Sequence, residues 1–62
     1  MLNSLATTMI NNYEADLRGG VELARVSRHV TNSIKALRAK GDWVSKEAAQ
    51  SLHLWLESKI PC

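Results

Sequence analysis

Apolar residues recur at steps of three and four along this chain, the spacing that places side chains on one face of an α-helix. Two pairs of residues that break helices, Gly19-Gly20 and Gly41-Asp42, divide the chain into three segments of helical length. No stretch alternates for long between apolar and polar residues, so strands are not expected. The pattern predicts an all-α fold of three short helices in a single small domain over residues 1–62.

The first segment carries one apolar face, and Asn3 or Ser4 can cap its start. Gly19-Gly20 offers the positive φ angle that helices favour just after their last residue. The residues of this face are Leu2, Leu5, Met9, Ile10, Tyr13 and Leu17.

The second segment, Val21 to Lys40, has the clearest pattern, and Gly41 is its expected C-cap. Its apolar side chains fall within an arc of roughly 80° at 100° per residue. So narrow a stripe is typical of the contact between two helices, and it predicts a helical hairpin that forms a dimer or a tetramer. The residues of the stripe are Leu23, Val26, Val30, Ile34 and Leu37.

The third segment is predicted to begin at Ser45, a good N-cap residue. Its apolar face adds Leu52, Trp55 and Leu56 to the predicted oligomer interface. Trp43 and Leu54 project to the other side. An exposed Trp beside an exposed Leu indicates a contact surface for a partner, although Trp43 can also fold back onto the second helix across the Gly41-Asp42 turn.

The length explains why an oligomer is expected. The chain has 62 residues, 45% of them hydrophobic and 23% charged, with a formal net charge of +2. A domain this short buries only about 60% of the surface that its unfolded chain exposes, so it is marginally stable alone. A single cysteine excludes an internal disulfide, and two distant histidines do not make a metal site. Association between copies is the remaining source of stability.

Basic residues lie opposite the apolar stripe of the second segment, at spacings of seven and three. The positions are Arg18, Arg25, Arg28, Lys35 and Arg38. This face either docks onto an acidic protein surface, follows the phosphates of a nucleic acid, or is only a solvated outer face. The predicted partner-binding residues are therefore Arg25, Arg28, Lys35 and Arg38, together with Trp43 and Leu54.

The run from Glu22 to Gly41 is similar at first sight to a winged-helix DNA reader. A helix-turn-helix motif, however, needs a turn of three or four residues between its helices. The apolar period continues unbroken from Leu23 to Leu37, which leaves no room for that turn. One continuous helix is the prediction.

Catalytic and metal-binding motifs are missing from the sequence. His29 and His53 are isolated, the six carboxylates show no pairing that suits acid–base chemistry, and no glycine-rich phosphate loop is present. We therefore expect neither an enzyme nor a bound cofactor or metal. The chain has neither an apolar run of about 18 residues nor the basic start of a signal peptide, and its one cysteine, Cys62, suits a reducing compartment. These features predict a cytoplasmic protein without membrane contact.

The second half of the chain resembles a known family over residues 23–58. The matching runs are Val30-Thr-Asn-Ser-Ile-Lys-Ala-Leu, the turn with Gly41, Val44-Ser-Lys-Glu-Ala-Ala and Leu52-His-Leu-Trp-Leu-Glu. They are similar to the AriR-like connectors, small biofilm and acid-resistance regulators of enterobacteria. The resemblance implies an all-helical dimer that acts by touching a signalling or regulatory protein.

Together these features favour a small regulatory adaptor that modulates a transcription factor or repressor, in the manner of a connector or a phage antirepressor. The alternative is a regulator that binds DNA directly through its basic helix face. A purely structural oligomerisation module is a third possibility that the sequence leaves open.

Overall fold

Three α-helices make up the fold in a computed structural model that describes residues 3–60. They are α1 (Ser4–Arg18), α2 (Leu23–Lys40) and α3 (Trp43–Lys59). No strand occurs within these residues, so the all-α prediction and the single continuous second helix are confirmed. The predictions that concern Leu2 and Cys62 lie outside the described residues.

The three helices lie along the long axis of an elongated bundle that measures 33 × 19 × 19 Å. An 18-residue helix is about 27 Å long, close to the length of the molecule. The Asn3 Nδ2 group donates to the Val44 carbonyl at 3.0 Å, so α1 and α3 begin at the same end. Glu14 and Trp55 meet near the other end. Thus α1 runs parallel to α3, and α2 runs antiparallel to both.

The start and end of α1 agree with the predicted caps. The Asn3 side chain accepts a hydrogen bond from the Ala6 N–H, as an N-cap residue does. At the other end, Gly20 has φ +97°. The Gly20 and Val21 N–H groups donate to the Leu17 and Asp16 carbonyls, the pair of bonds that defines a Schellman motif.

The start of α3 differs from the prediction, because the helix begins at Trp43 and Asp42 is its N-cap. One Asp42 carboxylate oxygen accepts from the Ser45 N–H at 2.7 Å, and the other accepts from the Ser45 hydroxyl at 3.1 Å. Ser45 is buried inside the first turn rather than capping it. These bonds lower the pKa of Asp42 below its usual 3.8, since they favour the charged carboxylate, the backbone bond most.

The core lies between the helices, chiefly where α2 packs on α3. Three of its side chains, Val26, Val30 and Leu52, are almost fully buried. Ala48 and Ala49 are completely buried on α3, and such small residues let the neighbouring helix approach closely. Burying a valine or leucine side chain stabilises a fold by about 1.5–3 kcal/mol, so this core is the main stabilising feature of the chain.

The α2 apolar stripe is the largest departure from the sequence prediction. The sequence predicts that these side chains contact a second copy, but they pack inside one chain, against α1 and α3. A stripe narrow enough for a two-helix contact is equally suited to a neighbouring helix of the same chain. Buried residues of the predicted oligomer interface are Val26, Val30, Ile34, Leu37 and Leu52, and half-buried ones are Leu23, Trp55 and Leu56.

No helix in residues 3–60 combines the length and apolar character needed to cross a membrane.

Candidate interaction surface

Four basic side chains form the outer face of α2, and all of them are exposed. Arg28 and Lys35 are two helical turns apart and differ by about 20° around the helix. The face spans about 140° of the helix and is centred about 150° from the α2 apolar stripe. We call this set the α2 basic face: Arg25, Arg28, Lys35 and Arg38.

The positive charge of the chain is concentrated on this helix. From Leu23 to Lys40 the sequence holds five basic residues and no acidic one, whereas the whole chain carries only +2. None of the four side chains of the α2 basic face forms a salt bridge within the described residues. Arg38 also lies in the last turn of α2, where a cation interacts favourably with the helix dipole. The helix therefore presents a cationic surface that no carboxylate of its own sequence neutralises.

Two large apolar side chains stand on the outer face of α3. Trp43 is 74% exposed and Leu54 is 59% exposed. They lie about 20° apart around the helix and about 16 Å apart along it. Their exposure confirms that they project away from the core, and it excludes the alternative in which Trp43 folds back onto α2.

The predicted partner-binding residues thus form two surfaces rather than one. The α2 basic face points away from the core of α2, and Trp43 and Leu54 point away from the core of α3. Because each set faces outward from its own helix, they look in different directions around the bundle.

A polar cluster joins α1 to α3, and sequence reasoning did not identify it. The Trp55 indole N–H donates to Glu14 Oε1 at 2.9 Å, and the Lys59 ammonium lies 2.9 Å from the same oxygen. Tyr13 stacks on Trp55 with ring centres 6.0 Å apart. Bonds from Lys59 and then Trp55 lower the pKa of Glu14 below its usual 4.5. Trp55, predicted at the oligomer interface, therefore binds α1 of its own chain.

An open cleft of about 530 Å³ separates α1 from α2. Across it, the Tyr13 and Ser33 hydroxyls form a hydrogen bond of 2.7 Å. His29 and Asp16 also line the cleft. In the described part of the chain, no three histidine, cysteine or acidic side chains come close enough together to hold a metal ion. His53 instead lies on the surface of α3, 3.5 Å from Glu57.

Comparisons with known proteins found no matching family model, no matching curated protein and no matching solved structure.

Proposed function

We propose that this protein is a small regulatory adaptor in the cytoplasm and not an enzyme. It assembles as a homo-oligomer, and its α2 basic face binds another regulatory protein. The partner in this proposal is a transcription factor or repressor whose docking surface is acidic. The observation that carries the proposal is the exposed face of α2, which bears four cations without a neutralising carboxylate on the same helix.

The packing of α2 in the core supports recognition by its basic face. Val26 and Val30 are buried on the opposite side of the helix, and they hold the backbone that carries Arg25 and Arg28. A helix backbone that is already folded before binding loses less conformational entropy than a segment that must fold when the partner arrives. Complementary charge also speeds the encounter with an acidic surface and selects against basic ones.

Two of the carboxylates have structural roles. Glu14 is bonded to Trp55 and Lys59, and Asp42 caps α3. The cleft between α1 and α2 is open rather than walled, whereas enzyme pockets enclose most of a small substrate. This arrangement favours a binding protein, in agreement with the regulators that the sequence resembles.

Affinity capture from a bacterial lysate tests the proposal. Tagged protein is incubated with lysate in the presence and absence of nuclease, and captured material is identified by mass spectrometry. The adaptor predicts a stoichiometric partner protein that survives nuclease treatment. Capture that depends entirely on nucleic acid contradicts it.

A second function, direct binding of a nucleic acid, is favoured by the same basic face. Four exposed cations on one helix can neutralise phosphates, and that mode of binding weakens steeply as salt rises. The test is fluorescence anisotropy with a labelled DNA duplex at several salt concentrations. Submicromolar binding at physiological salt that weakens in Arg25→Ala and Arg28→Ala supports this alternative. An affinity for DNA no tighter than ordinary non-specific binding removes it.

A further inference from the structure

Five exposed residues on the outer face of α3, and Ile60 directly after the helix as its C-cap, follow one another at steps of three, four, three, four and three. Their ends are apolar, since Trp43 is 74% and Ile60 is 45% exposed. The steps place all six within an arc of about 100°. We call this set the α3 outer stripe: Trp43, Lys46, Gln50, His53, Glu57 and Ile60.

The stripe is complementary to itself in an antiparallel arrangement. Steps of three and four are the spacing at which two helices pack along each other. A two-fold axis that crosses α3 between positions 51 and 52 sets Lys46 opposite Glu57 of the second copy. The same axis sets Trp43 opposite Ile60, and Gln50 opposite His53. Each of the three pairs matches chemically: a cation with an anion, two apolar groups, and two hydrogen-bonding groups.

A parallel arrangement of the same stripe is unfavourable. In that orientation Lys46 faces Lys46, and Glu57 faces Glu57, so like charges meet twice. Like-charge contact across an interface costs free energy and suppresses the wrong pairing. The sequence of charges along α3 therefore selects the antiparallel orientation.

We propose that a second copy of this chain binds the α3 outer stripe in that antiparallel register and forms a two-fold symmetric dimer. The inference rests on the homo-oligomer in the proposed function and assigns its interface to the α3 outer stripe. The α2 apolar stripe does not serve as that interface, because it is buried in the chain. One helix face with a polar centre is smaller than the interfaces of permanent dimers, so the dimer is weak and depends on concentration. Leu54, beside the stripe, lies at its rim.

Charge reversal tests the register. In one chain, Lys46 and Glu57 are about 16 Å apart along α3 and do not reach each other, so any coupling between them arises from the second copy. Sedimentation equilibrium is measured over a wide concentration range for the native chain, Lys46→Glu, Glu57→Lys and the double variant. Circular dichroism of each variant at low concentration checks that the exposed substitutions leave the fold intact.

The expected result is a concentration-dependent dimer of the native chain. Each single reversal weakens it by roughly tenfold, because the two-fold axis turns two attractive pairs into two repulsive ones. The double variant restores the native dissociation constant to within about twofold. A Trp43→Ser variant, which does not alter the charges, also weakens the dimer.

Three results overturn the proposal in distinguishable ways. A native chain that is monomeric over the whole concentration range excludes the dimer. Binding of a partner by the α2 basic face is tested separately, by the affinity capture. A dimer that both single reversals leave unchanged keeps the homo-oligomer but places its interface elsewhere. Weakening by the single reversals without recovery in the double variant rejects this register.

Discussion

At the residue scale, the Glu14 carboxylate makes a polar contact between α1 and α3. One of its oxygens accepts from Trp55 and lies 2.9 Å from the Lys59 ammonium, so it ties α1 to the end of α3. The sequence separation is 41 residues between Glu14 and Trp55, and no local pattern links them. Such a contact follows only from how the helices pack.

Acidification is expected to destabilise the fold through Glu14 and Asp42. Both have a pKa lowered in the folded chain, from 4.5 and 3.8 respectively. Their contributions to the stability of the fold are therefore fully present at pH values above these. They are lost as the pH falls through the lowered pKa values, because the folded chain must then protonate carboxylates that it holds charged. The effect is modest, since both groups lie near the solvent.

Urea unfolding of the native chain and Glu14→Gln between pH 7 and pH 2.5 measures this contribution. The variant is expected to be less stable at pH 7, and the difference in stability is expected to shrink towards the acid end, as Glu14 itself becomes protonated. A difference that stays constant over the whole pH range contradicts the role given to the charged carboxylate.

At the element scale, the extent of α2 is predictable from sequence, and the contacts of its apolar stripe are not. An unbroken period from Leu23 to Leu37 determines one helix, and the structure has it from Leu23 to Lys40. The same pattern does not specify whether the facing helix belongs to the same chain or another. The start of α3 is ambiguous for a local reason: Asp42 and Ser45 are both good N-caps, and the bonds from Ser45 to Asp42 decide between them.

Replacing Ile34 by Asp tests whether the α2 apolar stripe is buried inside the single chain. Ile34 is 7% exposed inside the single chain, so an unpaired carboxylate there is expected to cost about 4 kcal/mol or more and to unfold the chain at any concentration. Ala36→Asp, on the exposed side of α2, is the control and costs less than about 1 kcal/mol. Circular dichroism and urea titration measure both. A folded Ile34→Asp monomer contradicts the core described for this fold.

Gly41 provides a second test at this scale, at the junction of α2 and α3. Its φ of +78° is left-handed, and a Cβ added there meets no atom within 4 Å. The whole cost of Gly41→Ala is therefore backbone strain, about 1 kcal/mol. Gly41→Asn is expected to cost less, because Asn tolerates this conformation better. Equal stability of all three proteins in urea unfolding contradicts the left-handed cap.

At the scale of the whole molecule, the sequence predicts which residues are exposed better than it predicts what they form together. Trp43, Leu54 and the four cations are exposed as expected. Their division into two outward surfaces depends on how the helices are arranged in the bundle. Helical periodicity does not predict that arrangement. In the proposed dimer, the second copy covers the α3 outer stripe, whereas the α2 basic face belongs to another helix.

A matched pair of lysine variants shows whether the α2 basic face binds a partner protein. Lys35 belongs to that face, whereas Lys40, on the same helix, projects about 130° away from the centre of the face. Both are exposed, so each alanine substitution removes one charge and leaves the core intact.

The measurement is the yield of nuclease-resistant partner captured by the native chain, Lys40→Ala, Lys35→Ala and Arg28→Ala/Lys35→Ala. We predict a yield near native for Lys40→Ala, a reduced yield for Lys35→Ala, and a loss of roughly tenfold or more for the double variant. Equal capture by all four proteins contradicts the proposed function, because the α2 basic face is then not the surface that the partner binds.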